Sequence, residues 1–162
     1  MCGIWALINK NTINDIDIEK YFKDFMKIKN RGPDFSNFLN LDNVLIGFHR
    51  LSIMNPTIIS NQPYILSENN KTIIFICNGE IYNYKELINE YDLSINTKSD
   101  CLTIPKLYLK MEYEKFIELF YNKIKGEFAF ILFDYNNNNK LNHIITVPFF
   151  YNIISYLYHI YI

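Results

Sequence analysis

Cys2 to Ile8 is an apolar run of strand length, the pattern of a strand buried on both faces, and it puts the start of the chain at the edge or end of a sheet. The period then changes. From a capping pair, Asn14-Asp15, to about Lys29, the residues Ile18, Phe22, Phe25 and Met26 share one helical face while the lysines lie mostly elsewhere. Arg31-Gly32-Pro33-Asp34 closes that helix with a glycine stop and a proline, and on its own is chain punctuation. Val44 to Phe48 and Thr72 to Cys77 predict strands that end in polar residues, His49-Arg50 after the first and Asn78-Gly79-Glu80 after the second. Tyr84 to Tyr91 predicts a short helix, and another starts at Ser99-Asp100 and runs towards Met111. Pro105 falls inside it, where a missing backbone donor would kink or shorten it. Glu112 to Lys123 is amphipathic, with Phe116, Ile117 and Phe120 inward. Gly126 leads into the apolar strand Phe128 to Phe133, and Asn136 to Asn139 turn the chain into a last strand near Leu141 to Val147.

The pattern is mixed helix and strand with no internal repeat or interdomain linker. At 162 residues, 49% hydrophobic and 20% charged, the chain can bury one proper core but not two of ordinary size. A net charge of −1 and a pI near 6.3 leave no basic footprint, which turns the expectation away from nucleic acid and acidic membranes and towards small molecules. Three cysteines, Cys2, Cys77 and Cys101, are an odd number without paired spacing, so a reducing, cytoplasmic compartment is expected rather than a disulfide framework. His49, His143 and His159 make no usual zinc spacing with them, and no metal is expected.

Cys2 changes the picture. Removal of Met1 would leave one residue carrying both a thiol, with an ordinary pKa of about 8.5, and an α-amine of about 7.7–8.0 that can take the thiol proton near neutral pH. An N-terminal amine is an established activator of a side-chain nucleophile.

Seven separated motifs then carry a resemblance: Met1-Cys2-Gly3-Ile4-Trp5-Ala6-Leu7, Arg31-Gly32-Pro33-Asp34, Gly47-Phe48-His49-Arg50-Leu51-Ser52-Ile53, Gln62-Pro63, Asn78-Gly79-Glu80-Ile81-Tyr82-Asn83, Ser99-Asp100 and Gly126-Glu127-Phe128-Ala129-Phe130. In order and spacing, over roughly residues 1–147, they resemble the class II glutamine amidotransferase domain of glutamine-hydrolysing asparagine synthetase. The resemblance implies an α+β, N-terminal-nucleophile hydrolase fold, a four-layer α/β/β/α sandwich of antiparallel sheets, that releases ammonia from the glutamine amide. It implies Cys2 as nucleophile, with the Asn78 side chain and the Gly79 backbone N–H as oxyanion donors. Glutamine is a zwitterion. Arg50 offers the bidentate fork for its α-carboxylate, Asp100 before Glu80 offers the anion for its α-ammonium, and backbone groups of Leu51 to Ile53 line the same pocket. Arg31 and Asp34 shape the loop beside Cys2, and Cys77 and Cys101 are structural thiols.

After Asp134 the chain departs from the family pattern. The expected Gly-Arg-Asp segment gives way to Asn142-His143-Ile144-Ile145-Thr146-Val147-Pro148, and residues 148–162 form a divergent apolar tail. This reads as a truncated or misassembled frame: the synthetase domain is absent, with no serine-glycine-glycine phosphate loop, so ATP and magnesium belong to that missing domain and this chain takes no cofactor. The partners implied are L-glutamine and a synthetase domain or a second copy of the chain. A second reading is an inactive glutamine-binding or interaction fragment, with Asp100 displaced by Pro105 or by the lost closing segments.

Overall fold

The computed structural model describes residues 2–9, 11–41, 43–53, 57–68, 70–95 and 99–148, together with the backbone of 158–161. The chain divides into two compact units, Met1–Pro63 and Tyr64–Ile162.

The first unit holds β1 (Gly3–Ile8), α1 (Asp15–Met26), β2 (Phe35–Leu41) and β3 (Val44–Arg50). The strands form an antiparallel sheet of order β1-β3-β2. The central strand, β3, is buried at every position, whereas β1 is an edge strand buried only at Gly3. The expectation that Cys2 to Ile8 is buried on both faces is therefore corrected: an edge strand has one neighbour, and its apolar residues are half-covered. The Asn14 side chain caps α1 by accepting from the Asp17 N–H at 2.9 Å, and Asp15 and Asp17 suit the positive end of the helix. α1 stops at Met26, earlier than the predicted Lys29. Lys27 and Ile28 bond back three residues, and Lys29–Arg31 continues as a 3-10 turn, which tightens the chain into the Gly32 corner.

An aromatic cluster fastens α1 to this sheet. Phe25 is 1% exposed and lies 6.2 Å from Trp5 and 5.4 Å from Phe38 between ring centroids, while Phe22 meets Phe38 edge-on at 5.3 Å. Gly47 lies under the Phe25 ring, where a Cβ would come within 2.3 Å of its Cδ2.

In the second unit, β4 (Tyr64–Glu68), β5 (Lys71–Ile81), β6 (Gly126–Tyr135), β7 (Leu141–Val147) and β8 (Tyr158–Tyr161) form an antiparallel sheet in that order. Between β5 and β6 come α2 (Tyr84–Glu90), α3 (Thr103–Lys110) and α4 (Tyr113–Lys123). Leu87, Ile104, Leu107, Phe116, Leu119 and Phe120 of these helices share one core with Ile73, Phe75, Cys77, Phe130 and Leu132 of the sheet. The alternate residues Ile74, Ile76 and Phe133 are also buried, which explains why β5 and β6 read as unbroken apolar runs.

Three expectations are corrected here. β5 does not end at Cys77 but runs on through Asn78-Gly79-Glu80, because β6 pairs with it as far as Ile81. The helix expected from Ser99 begins as a 3-10 turn, Asp100–Leu102, before α3. Pro105 does not break α3: as its third residue it sits in the first turn, where backbone N–H groups have no helical partner to lose. β2 and β4, unforeseen, are short strands diluted with Ser and Asn or ending in Ser and Glu. Of the apolar tail, 149–157 and Ile162 lie outside the described residues, and the backbone of β8 pairs with β7 from Thr146↔Tyr158 to His143↔Tyr161.

The Tyr108 hydroxyl donates to Asp134 Oδ2 at 2.7 Å in the core. Burial, and then the Asp134 carboxylate, push this phenol well above the ordinary tyrosine value, so it stays protonated in the folded chain when an unfolded tyrosine would ionise. The acid form of a group whose pKa is raised by folding stabilises the fold below the unfolded value and loses that contribution as pH climbs. Unfolding free energy is expected to fall above about pH 10, and to fall less steeply in Tyr108→Phe, as measured by urea titration across pH 8–11.5. Gly47→Ala is expected to destabilise the fold by about 1–3 kcal/mol through overpacking against Phe25, seen as a lower urea midpoint at unchanged slope.

Candidate active site

The sequence-predicted residues fall in both units. In the first, Cys2 immediately precedes β1 and is half-buried. Its Sγ lies 3.4 Å from the Leu51 N, which donates to it, and 3.8 Å from the Leu51 carbonyl, towards which the thiol can donate. Register accounts for this. β1 pairs antiparallel with β3, Gly3 opposite His49, so the same register carried one residue back brings Cys2 to Arg50, the last residue of β3, with Leu51 next along the chain. The Cys2 carbonyl accepts from Arg31 Nε at 3.3 Å.

The Arg31–Asp34 corner is held on the same strand end. Asp34 N donates to the Arg50 carbonyl at 3.0 Å, and Asp34 Oδ2 accepts from Ser52 N at 2.6 Å. Gly32 is required by close approach, since a Cβ there would stand 2.2 Å from the His49 carbonyl oxygen. The supporting role expected of Arg31 and Asp34 thus has a physical form: one binds the backbone of Cys2, the other the backbone next to Leu51.

His49 is fully buried and stacks on Phe25, with centroids 3.9 Å apart and planes 3° from parallel. Its Nε2 meets the Phe25 carbonyl at 3.1 Å, and its Nδ1 meets the Ser36 hydroxyl at 2.7 Å. A carbonyl only accepts, so Nε2 carries a proton there. Arg50 is 5% exposed, and its Nη1 donates to the Thr57 carbonyl at 2.9 Å and to Asn61 Oδ1 at 2.6 Å. Neither partner was legible in the sequence, where Asn61 is one asparagine among many. The Ile53 side chain is 73% exposed, and its N donates to the Leu51 carbonyl at 3.0 Å.

In the second unit, Asn78 is buried in β5 opposite Ala129, and Gly79 follows opposite Phe128. Gly79 has φ 147°, a conformation that disfavours any side chain, and a Cβ would lie 2.2 Å from the Glu127 carbonyl oxygen. Asn78-Gly79 is therefore a distorted point inside a strand. Asp100 is 5% exposed, and its Oδ2 accepts from the Ile81 N–H at 2.6 Å, which ties the 3-10 turn to β5 just beyond Gly79. Glu80 is exposed and faces Glu127 across the ladder. Of the two anionic candidates, Asp100 is the one held in place by the fold.

Cys101 is buried, and its Sγ lies 3.6 Å from the Gly79 carbonyl oxygen. The neighbouring Cys77 thiol, and then burial, push the Cys101 thiol well above its ordinary value, so it is held as an inert donor. No disulfide joins the three cysteines. Among the described residues, no group of three or more His, Cys, Asp or Glu side chains could hold a metal ion, and no helix is long and apolar enough to cross a membrane.

Among the described residues, two antiparallel sheets and four α-helices make an α+β fold, with Cys2 just ahead of the first strand. That fold is shared with the solved glutamine phosphoribosylpyrophosphate amidotransferase of B. subtilis, at TM-score 0.52 and 19% identity over 67% of this chain and 23% of that one. A solved allosteric regulatory enzyme of purine biosynthesis matches at TM-score 0.53 and 19% identity, over 67% of this chain and 24% of that one. The chain belongs to the glutamine amidotransferase domain family, whose sequence model matches residues 1–155. It is 35% identical to the human (Homo sapiens) glutamine-hydrolysing asparagine synthetase, over 85% of this chain and 23% of that protein. A probable asparagine synthetase of Acanthamoeba polyphaga mimivirus is 30% identical over 87% of this chain and 25% of the viral protein. The chain thus spans about a quarter of the length of these relatives.

The difference between the thiols is open to measurement. With iodoacetamide at pH 8, Cys2 is expected to be alkylated in the folded protein, while Cys77 and Cys101 react only after denaturation, as read by peptide mass mapping.

Proposed function

We propose that this chain hydrolyses the side-chain amide of L-glutamine to glutamate and ammonia, as the glutamine amidotransferase part of an asparagine synthetase in the cytoplasm. The observation that carries the reading is the Cys2 thiol held against the Leu51 backbone, next to the buried Arg50, in a chain of the glutamine amidotransferase domain family. Once Met1 is removed, the Cys2 α-amine takes the thiol proton and Sγ attacks the amide carbon. Negative charge then develops on the amide oxygen, and the Asn78 amide and Gly79 N–H are the donors assigned to it, each worth about 2.7–4 kcal/mol by comparison with other oxyanion holes. Collapse breaks the C–N bond, ammonia leaves with the proton returned by the amine, and a thioester remains. Water, deprotonated by the same amine, attacks the thioester and releases glutamate and the thiol.

Arg50 is assigned to the substrate α-carboxylate and Asp100 to its α-ammonium, with Glu80 a lesser anionic candidate and the Leu51 and Ile53 backbones as lining. Amide hydrolysis through a thioester takes no cofactor. ATP and magnesium would serve the aspartate-activating part of an asparagine synthetase, and the ammonia released here would be consumed there.

Intact mass is expected to show loss of Met1, and the purified chain is expected to release glutamate from L-glutamine. Cys2→Ala should abolish that release, and Arg50→Ala should raise KM for glutamine about 10- to 100-fold through the loss of a charge-assisted contact. Undiminished activity in Cys2→Ala would overturn the mechanism, and glutamine binding without turnover in the wild type would make the chain a binding fragment instead.

A further inference from the structure

A guanidinium buried as deeply as that of Arg50 must commit its donors to fixed acceptors, and the kind of acceptor decides how much positive charge it has left to offer. The two acceptors seen on Nη1 come from one short segment. Thr57 and Asn61 flank the 3-10 turn Ile58–Ser60, in which Ser60 N donates to the Thr57 carbonyl at 3.2 Å and Asn61 N to the Ile58 carbonyl at 2.9 Å. The turn brings the Thr57 carbonyl and the Asn61 amide oxygen to the same nitrogen, at 2.9 and 2.6 Å. Both oxygens are neutral. As neutral acceptors they help orient the guanidinium, and neither pairs with its charge as a carboxylate at the same place would.

We propose that Asn61 is a positioning residue for substrate recognition: its amide oxygen helps set the plane of the Arg50 guanidinium and, being uncharged, does not compete with a substrate carboxylate for it. The inference rests on the assignment of Arg50 to the glutamine α-carboxylate. It adds a requirement that the assignment alone does not make, namely that the residue at 61 accept a hydrogen bond and be uncharged. Asparagine meets both conditions. Aspartate meets only the first: it keeps the acceptor at the same reach but pairs with Arg50 before the substrate arrives. Alanine meets only the second, adding no charge but removing one of the acceptors on Nη1.

The experiment compares L-glutamine with L-glutamine α-amide, which carries the same side-chain amide and α-ammonium but no α-carboxylate. With the full chain, kcat and KM are measured for both substrates in the wild type, Asn61→Asp and Asn61→Ala. The wild type is expected to favour glutamine in kcat/KM. In Asn61→Asp that preference should shrink about tenfold or more, through a higher KM for glutamine with KM for the α-amide little changed, the scale of one lost charge-assisted contact. A merely structural role would lower kcat/KM for both substrates alike and leave their ratio intact, and that result overturns the inference. Should Asn61→Asp fail to give a cooperative thermal transition, Asn61→Ala decides: a severalfold higher KM for glutamine with the α-amide unaffected supports the inference, and an unchanged KM overturns it. A wild type that does not distinguish the two compounds overturns the Arg50 assignment instead. In a wild type without turnover the same comparison is read as calorimetric Kd values, and binding of neither compound overturns the assignment on which the inference stands.

Discussion

The end of β3 is where the first unit is tied together, and the tie is a buried polar one. His49 has no exposure, yet both ring nitrogens are satisfied, one by the carbonyl near the end of α1 and the other by a hydroxyl on β2. A buried polar group left unmet would cost about 1–3 kcal/mol, so helix and strands are held to positions that satisfy the ring. The remaining features of this end follow from that placement. Gly32 must pass against the His49 carbonyl, which brings Arg31 to the Cys2 backbone and Asp34 to the backbone of Arg50 and Ser52. Leu51, between those two, is left to meet the Cys2 sulfur. A residue this close to the start of a chain would ordinarily fray. Here its sulfur and carbonyl are each held by a separate partner.

The second unit uses a different constraint, strand pairing carried through a point of unusual backbone. β5 and β6 stay in register across Gly79 although its φ is 147°, and glycine is the residue that makes this possible. Asp100 then bonds the Ile81 N–H, so the turn before α3 is anchored just past the distortion. The Cys77 and Cys101 thiols fill the space behind, one in the strand and one in the turn, as apolar packing with a weak donor rather than as chemistry.

How far each element was legible in the sequence depended on how local its cause was. Asn14 as a cap, the inward Phe116 and Phe120 of α4, and the apolar run of β6 are set by neighbours within a few residues, and each was legible. Elements whose cause is non-local were not. β2 and β4 carry too few apolar residues to announce themselves, and exist because β3 and β5 offer them open edges. β5 looked finished at Cys77 because Asn-Gly favours turns, whereas pairing with β6, some fifty residues later, holds it extended through Gly79. Pro105 looked like a break because its distance from the helix start could not be judged before the 3-10 turn was seen.

The same division applies to the chemistry. A cysteine in position to become an N-terminal nucleophile, an arginine fork and an Asn-Gly pair are properties of residue type and order, and the sequence alone determined them, together with the family to which they point. Only the tertiary structure decided which groups those residues touch: Leu51 on the thiol, the Thr57 and Asn61 oxygens on the guanidinium, the Ile81 N–H on Asp100. Residue identity fixes what a side chain can donate or accept. The partners are brought to it by strand register and turn geometry, which depend on the burial of residues far away along the chain.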